Sequence, residues 1–174
     1  MLKIISPIAF IIISGCAINP PGQVGVPILA YQSVGDGVYR GATPREEGLQ
    51  YLKSQNFKTI LNLDNDEVTN QFEQNFSDHH GINEIQIPLS GFFKPDDTDI
   101  DRALAVLADK NLRPIYVHCQ HGHDRTGLII GLYRTEVLKW DKQTAYDEML
   151  KLGFHKILWP LDEYFEKRTS NLIK

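Results

Sequence analysis

The segment VHCQHGHDRTG, residues 117–127, brings together one thiol, three imidazoles, one carboxylate and one guanidinium. Five residues separate Cys119 from Arg125, and Gly122 lies among them. Between a strand and a helix N-terminus, a loop of this length can turn successive backbone N–H groups inward and bind an anion such as phosphate. The spacing therefore predicts an anion-binding loop.

The same loop carries the groups needed for nucleophilic catalysis. The planar guanidinium of Arg125 can contact two phosphate oxygens at once, which a lysine cannot do. The positive field of such a loop favours the thiolate form of Cys119, and a thiolate is a nucleophile. We therefore expect the thiol and the phosphate-binding groups to act together.

The surrounding sequence alternates between strand and helix patterns. Strands are predicted in the segments KTILNLD, NEIQIPL and RPIYVHC. Helices are predicted in TPREEGLQYLKSQ, around VTNQFEQNF, and in DDTDIDRALAVLADKN, TGLIIGLYRTEVLKW, KQTAYDEMLKLG and LDEYFEKRTSNLI. This alternation predicts an α/β fold whose mostly parallel central sheet is flanked by helices on both faces. Ligands of such sheets bind at the carboxyl ends of the strands, where residues 118–125 are placed.

The motif His118-Cys119-x5-Arg125-Thr126-Gly127 resembles the signature loop of the cysteine-dependent phosphatases, the protein tyrosine and dual-specificity phosphatase superfamily. The resemblance extends through VYRGATP, KTILNLD, IQIPL and GLYR, in the order found in small bacterial dual-specificity-like enzymes and tyrosine-phosphatase-like phytases. It implies a dual-specificity-phosphatase-like fold. It also implies hydrolysis of phosphoric monoesters without a metal or any other cofactor.

The resemblance implies a role for each matching residue. Cys119 would attack phosphorus to form a phosphocysteine, and Arg125 would hold the phosphoryl oxygens. Thr126 would donate a hydrogen bond to the sulfur, and His118 would order the loop from beneath. The further residues expected to bind substrate are Gln120, His121, Gly122, His123 and Asp124. Both of these histidines are expected to face outward over the pocket, a solvated position at the cleft rim being the alternative.

The resemblance leaves two places for the general acid. The family normally supplies an Asp from a loop after the strand that corresponds to IQIPL, but this chain has Gly91 or Phe92 there. Asp96 and Asp97 follow, at positions that also suit helix capping. Asp124 lies inside the signature loop, as in relatives with an Asp-Arg-Thr-Gly ending that use this carboxylate as the acid. We favour Asp124 and keep the other two carboxylates as the alternative.

The N-terminal segment has the order of a bacterial export signal, with Lys3 followed by a short apolar run. The run is too short to span a bilayer comfortably, and the sequence ISGC at residues 13–16 resembles a lipobox that ends at a lipidated Cys16. An uncleaved signal anchor, or a start codon placed too early, is the alternative. The predicted organisation is a signal peptide over residues 1–16, a Pro- and Gly-rich tether over residues 17–35, and a phosphatase domain over residues 36–174.

Charge and cysteine content restrict the partners of the 174-residue chain. A net charge of −4 argues against a broad nucleic-acid-binding face. Lipidation of Cys16 would leave Cys119 as the only other thiol, so no internal disulfide is expected. We expect a monomer in the bacterial cell envelope, on the periplasmic or extracellular face. It would contact the membrane only through its lipid anchor and bind a small phosphorylated substrate.

Two other kinds of protein fit parts of the pattern. Cys119, His121 and His123 could ligate zinc in a metal-binding module, with His79 and His80 completing the site. A pseudophosphatase would bind phosphate without turnover, but it would typically lack the nucleophilic Cys or the Arg, and this chain has both. Among substrates, an extracytoplasmic location favours an inositol polyphosphate, as for the phytase-like relatives. Phosphotyrosine is the alternative, since the loop lacks the extra Lys or Arg that a highly charged ligand would need.

Overall fold

The computed structural model describes residues 25–172, so the lipidation site predicted at Cys16 lies outside the described residues. The strands are β1 (Gln32–Gly35), β2 (Val38–Ala42), β3 (Thr59–Asn62), β4 (Asn83–Gln86) and β5 (Ile115–Cys119). The α-helices are α1 (Arg45–Ser54), α2 (Glu67–His80), α3 (Asp97–Ala108), α4 (Asp124–Leu132), α5 (Lys142–Lys151) and α6 (Trp159–Arg168). A π-helical segment, Tyr133–Val137, continues α4.

The five strands form one sheet in the order β1-β2-β5-β3-β4. Strands β2, β5, β3 and β4 are parallel, and β1 is antiparallel to β2 at one edge. All five residues of β5 are buried, as expected for the central strand of a sheet that is covered on both faces. The predicted α/β fold with a mostly parallel sheet is confirmed.

Successive side chains of β5 point to opposite faces of the sheet, and each face carries one hydrophobic cluster of the core. Ile115, Val117 and Cys119 belong to the larger cluster, which contains side chains of α3, α4, α5 and α6. Tyr116 belongs to the smaller cluster, which is formed with side chains of α1 and of the segments that flank it. The helices therefore cover both faces, and β5 ends between the two clusters.

The folded part begins earlier than the sequence predicts. The predicted tether over residues 17–35 is too long, because Ile28 and Tyr31 are each only 3% exposed and β1 pairs with β2. Pro and Gly in this stretch suggested a linker, but its apolar residues pack against α1 and β2. Among residues 25–172, no helix combines the length and the apolar character needed to cross a membrane.

Candidate active site

The predicted anion-binding loop lies at the carboxyl end of the central strand. Cys119 is the last residue of β5, and α4 begins at Asp124, so residues 120–123 form the turn between them. Cys119 is 2% exposed and lies at the base of a cleft of about 200 Å³. The other residues that line the cleft are Asn65, Gly91, Phe92, Gln120, His121, Asp124, Arg125 and Leu158.

Arg125 is held from one side by the segments that follow β3 and β4. Its Nη1 donates to the side-chain oxygens of Asn65 at 2.9 Å and Asp64 at 3.2 Å, and to the carbonyl of Leu89 at 3.2 Å. Among the described residues, its Nη2 and Nε have no hydrogen-bond partner. One end of the guanidinium is therefore fixed, while the N–H groups of Nε and Nη2 are available to a bound phosphoryl group.

Arg40, which the sequence analysis did not select, supports the loop from beneath. It comes from β2, is 2% exposed, and its Nη2 donates to the carbonyl of Gly122 at 2.7 Å. Burial lowers the pKa of Arg40 to about 10, and the electrostatic interaction with Cys119 opposes this lowering. The guanidinium therefore stays charged at neutral pH and adds a fixed positive charge beneath the loop that follows Cys119. The signal in the sequence was a single charged residue inside the otherwise uncharged strand VYRGA.

Gly122 packs directly against the neighbouring strand. Its φ is +74°, and a Cβ at this position would come within 2.3 Å of the carbonyl carbon of Gly41. No other residue fits there without displacing backbone. Its contribution to the site is therefore made by its backbone, whose carbonyl is already bound to Arg40.

His118 lies on the opposite side of the sheet from the cleft. Its Nε2 is 2.8 Å from Oε1 of Glu73 on α2, and both side chains are buried. The imidazole ring stacks on Tyr116, with 5.6 Å between ring centroids. The contact joins α2 to the residue that precedes Cys119. This placement suits a residue that orders the loop from beneath, and that role stays a prediction.

The comparisons with known proteins assign this arrangement to a family. A family model described as "Tyrosine phosphatase family" matches residues 25–174. The chain belongs to the cysteine-dependent tyrosine and dual-specificity phosphatase superfamily. It is therefore a phosphatase by family.

Its relatives carry two kinds of phosphatase name. Inositol diphosphatase DSP4 of Arabidopsis thaliana is 29% identical over 139 residues, which cover 78% of this chain and 69% of that protein. Dual specificity protein phosphatase TpbA of Pseudomonas aeruginosa is 30% identical over 118 residues, which cover 67% of this chain and 51% of TpbA. The core catalytic domain of the PP-IP phosphatase SIW14 from S. cerevisiae, crystallised with citrate, superposes with a TM-score of 0.70. It is 26% identical, and the match covers 84% of this chain and 92% of that domain.

In this phosphatase Thr126 and the two loop histidines have different surroundings. Thr126 is buried and its Oγ1 has no hydrogen-bond partner among residues 25–172, so the implied bond to the Cys119 sulfur is not formed in this structure. His121 and Gln120 are exposed and line the cleft, where both were expected to contact substrate.

The expectation that His123 faces outward over the pocket is wrong. The residue is 8% exposed, and its ring lies against Gly153, where an added Cβ would be 3.1 Å from the imidazole. Burial lowers the pKa of His123, which keeps the imidazole neutral at pH 7. Packing between the start of α4 and the segment after α5 therefore removes this side chain from the cleft.

Of the three candidate general acids, only Asp124 lines the cleft that contains Cys119. Asp124 lines the cleft, and its Oδ1 accepts a hydrogen bond of 2.7 Å from the backbone N–H of His155, whose Nδ1 is 3.0 Å away. Asp96 caps α3 by accepting from the Thr98 N–H at 2.7 Å, and this contact lowers the pKa of Asp96. Asp97 accepts a hydrogen bond from the hydroxyl of Tyr164 on α6. Neither of these two residues lines the cleft that contains Cys119.

The alternative zinc site has no geometric support in the described part of the chain. Within residues 25–172, no three His, Cys, Asp or Glu side chains are grouped closely enough to hold a metal. His79 and His80 lie at the C-terminal end of α2. The N-terminal end of α2 is the one at the edge of the sheet where β3 ends. Cys119 lies at that same edge, at the end of the neighbouring strand β5.

Proposed function

We propose that this chain hydrolyses phosphoric monoesters through a phosphocysteine formed at Cys119. The observation that carries the proposal is one cleft at the end of β5 that contains Cys119, Arg125 and Asp124. The thiolate attacks phosphorus as the bond to the ester oxygen breaks, and Asp124 gives that oxygen its proton. Water then attacks phosphorus and gives a proton to Asp124 as the P–S bond breaks, which releases inorganic phosphate and restores both the thiolate and the protonated acid. The free donors of Arg125 stabilise the charge that develops on the phosphoryl oxygens in both steps.

An inositol phosphate is the substrate class that we propose first. Support comes from the relatives, because DSP4 is named an inositol diphosphatase and SIW14 a PP-IP phosphatase. The exposed side chains of Gln120 and His121 lie at the cleft, where they can donate hydrogen bonds to additional substrate oxygens.

Phosphotyrosine is the second candidate, and the walls of the cleft favour it. Phe92 and Leu158 form apolar walls, and Arg125 is the one Lys or Arg among the residues that line the cleft. A planar aromatic leaving group fits such walls, whereas a highly phosphorylated ring gains from several cations. TpbA is named a dual specificity protein phosphatase, which agrees with this candidate.

The first experiment compares wild type with Cys119→Ser on an aryl phosphate. We expect Cys119→Ser to abolish turnover while retaining binding, because an alkoxide forms far less readily than a thiolate at neutral pH. Retention of even a tenth of the activity, about 1.4 kcal/mol of barrier, contradicts covalent catalysis by Cys119. A chelator is expected to leave the wild-type rate unchanged, because no proposed step requires a metal ion.

The second experiment identifies the substrate class. We expect kcat/KM to be higher for inositol phosphates, including one that carries a diphosphate group, than for a phosphotyrosine peptide. The reverse order assigns the chain to phosphotyrosine. If the protein hydrolyses the aryl phosphate but neither inositol phosphates nor the phosphotyrosine peptide, both substrate assignments are wrong. The proposed chemistry would still stand.

We also propose that the chain is attached to the bacterial envelope through lipid on Cys16. The support is the charge, the apolar run and the ISGC sequence of residues 1–16. A fatty-acid probe fed to cells is expected to label the wild type and to leave Cys16→Ala unlabelled. Equal labelling of both proteins contradicts the lipobox.

A further inference from the structure

Four large apolar side chains are exposed beside the catalytic cleft. These residues, which we call the aromatic rim, are Phe92 (75% exposed), Phe93 (75%), Ile157 (86%) and Trp159 (67%). Phe92 also lines the cleft, and Ile157 and Trp159 flank Leu158, which lines it too. Exposure of this much apolar surface in one place is unusual for a protein that meets only water, and it marks a surface that contacts an apolar partner.

Exposed apolar residues are concentrated at the edge of the sheet where the cleft opens. Besides the aromatic rim, Val68 is 82% exposed at the start of α2, which follows β3 at that same edge. Leu138 and Trp140, at 39% and 38%, lie near the opposite edge. They follow the helical run Asp124–Val137, which carries the chain about 20 Å away from the loop.

The chain enters the fold at the edge that carries the cleft. Strand β1 runs antiparallel to β2, so the residues before β1 lie beside the end of β2. The carbonyl of Leu29 accepts a hydrogen bond from the N–H of Ala42, and Ala42 is the register partner of Cys119. Residues 1–24, with their apolar run and Cys16, therefore join the described part at the catalytic edge and not at the opposite one.

We propose that the membrane contact is not limited to the lipid anchor expected from the sequence: the catalytic edge lies on the surface of a lipid bilayer, with the aromatic rim inserted among the lipid headgroups. Trp and Phe are side chains that favour this interface, and a short connection to a lipidated Cys16 would place the same edge there. The surface beside the rim includes Lys94, whose charge suits lipid phosphates, whereas the neighbouring Lys167 is paired with Glu163 at 2.7 Å. The net charge of −4 indicates that apolar insertion, rather than general charge attraction, provides the binding.

The chain contains two tryptophans, one at each edge, and they supply an internal comparison. The full chain is placed in phosphatidylcholine vesicles whose acyl chains carry bromine, which quenches nearby tryptophan fluorescence. Trp140→Phe leaves Trp159 as the reporter, and Trp159→Phe leaves Trp140. We expect the emission of Trp159 to shift to shorter wavelength and to be quenched, while Trp140 emits as it does without vesicles. The proposal is overturned if Trp159 and Trp140 are quenched equally. It is also overturned if the protein floats with the vesicles and Trp159 is not quenched.

The double variant Phe93→Ser/Ile157→Ser tests the rim itself, since neither residue lines the cleft. In the Trp140→Phe background, the double variant is expected to lower quenching of Trp159 about tenfold or to abolish it. The reason is that burial of each such apolar side chain favours binding to the lipid phase severalfold or more, and the variant loses two of them. Leu138→Ser, at the opposite edge, is the matched control and is expected to leave the quenching unchanged. Aryl phosphate turnover without vesicles is expected to be retained by every variant, which separates loss of docking from failure of the active site. If the double variant lowers kcat/KM for a phosphotyrosine peptide and leaves the quenching intact, the rim binds peptide and the membrane proposal is wrong.

Discussion

The guanidinium of Arg40 donates a hydrogen bond of 2.7 Å to the carbonyl of Gly122, so β2 holds the centre of the catalytic loop from beneath. A second contact of 3.4 Å joins the same nitrogen to the carbonyl of His123. With these carbonyls directed toward a buried cation, the backbone N–H groups of the loop are free to face the opposite way, toward the cleft. The guanidinium also interacts electrostatically with Cys119.

Two substitutions of Arg40 test the contribution of its positive charge. In Arg40→Lys the positive charge is kept, whereas Arg40→Met removes it and leaves the Gly122 carbonyl without its donor. We expect iodoacetate to alkylate Cys119 more slowly in Arg40→Met than in Arg40→Lys at pH 6, because the thiolate loses a buried positive charge. Both variants are expected to lose turnover, since each changes the support of the loop.

Melting temperatures provide the control for the Arg40 variants. Comparison is restricted to conditions in which both proteins are folded. Equal alkylation rates in the two folded variants contradict an electrostatic contribution and leave Arg40 with a purely structural one.

Arg125→Lys is expected to lower kcat by about a hundredfold or more, the usual loss when a donor to a developing negative charge is removed. One ammonium group cannot bind Asn65 on one side and also present two parallel N–H donors to phosphate on the other. The measurement is kcat and KM on an aryl phosphate. Near-normal values of both contradict a transition-state contact by Arg125.

Local pattern was sufficient to predict the α/β fold and the placement of the Cys119–Arg125 loop between a strand and a helix. The strand RPIYVHC and the helix that follows it are adjacent in sequence, so the position of Cys119 and Arg125 at a strand end and a helix start follows from short-range order. The same reasoning could not find Arg40, which lies 82 residues from Gly122 along the chain. Contacts of that kind depend on which strands become neighbours, and one sequence does not specify the strand order.

The sequence alone also could not predict which side chains of the loop are exposed. His121 and His123 are both histidines of the same loop, yet His121 is exposed and His123 is buried. The difference arises from Gly153, whose missing side chain leaves room for the ring of His123. His155 was missed for a similar reason, because its contact with Asp124 joins positions 31 residues apart.

The burial of His123 predicts a pH dependence of stability. Burial lowers the pKa of its imidazole below the ordinary value, so the unfolded chain binds a proton at higher pH than the folded chain does. The free energy of unfolding therefore decreases as pH falls from about 7 through 6.5 toward the lowered pKa. We expect the melting temperature to fall less between pH 7.5 and 5.5 in His123→Gln than in wild type.

His121→Gln is the matched control for this measurement, because it changes an exposed histidine of the same loop. It is expected to keep the wild-type decrease in melting temperature. If His123→Gln shows the same decrease as His121→Gln, the buried imidazole is not a source of the acid sensitivity.

Asp124→Asn is expected to slow the hydrolysis of alkyl phosphates, including inositol phosphates, about a hundredfold more than that of aryl phosphates with good leaving groups. An alkoxide requires a proton in the transition state, whereas a nitrophenolate leaves without one, and general acids typically contribute a hundredfold or more. Two contacts from His155 fix the Asp124 carboxylate at the cleft, so the proton donor has a defined position. The measurement is kcat/KM across a series of leaving groups.

Asp96→Asn and Asp97→Asn are the controls, since both carboxylates lie outside the cleft. They are expected to leave the leaving-group dependence unchanged, with a small fall in melting temperature for Asp96→Asn through its weaker helix cap. A uniform loss of rate on both substrate classes in Asp124→Asn indicates that Asp124 positions the loop and does not donate a proton. A steeper dependence in Asp96→Asn or Asp97→Asn places the acid in the segment before α3. That result requires this segment to move toward Cys119 when substrate binds.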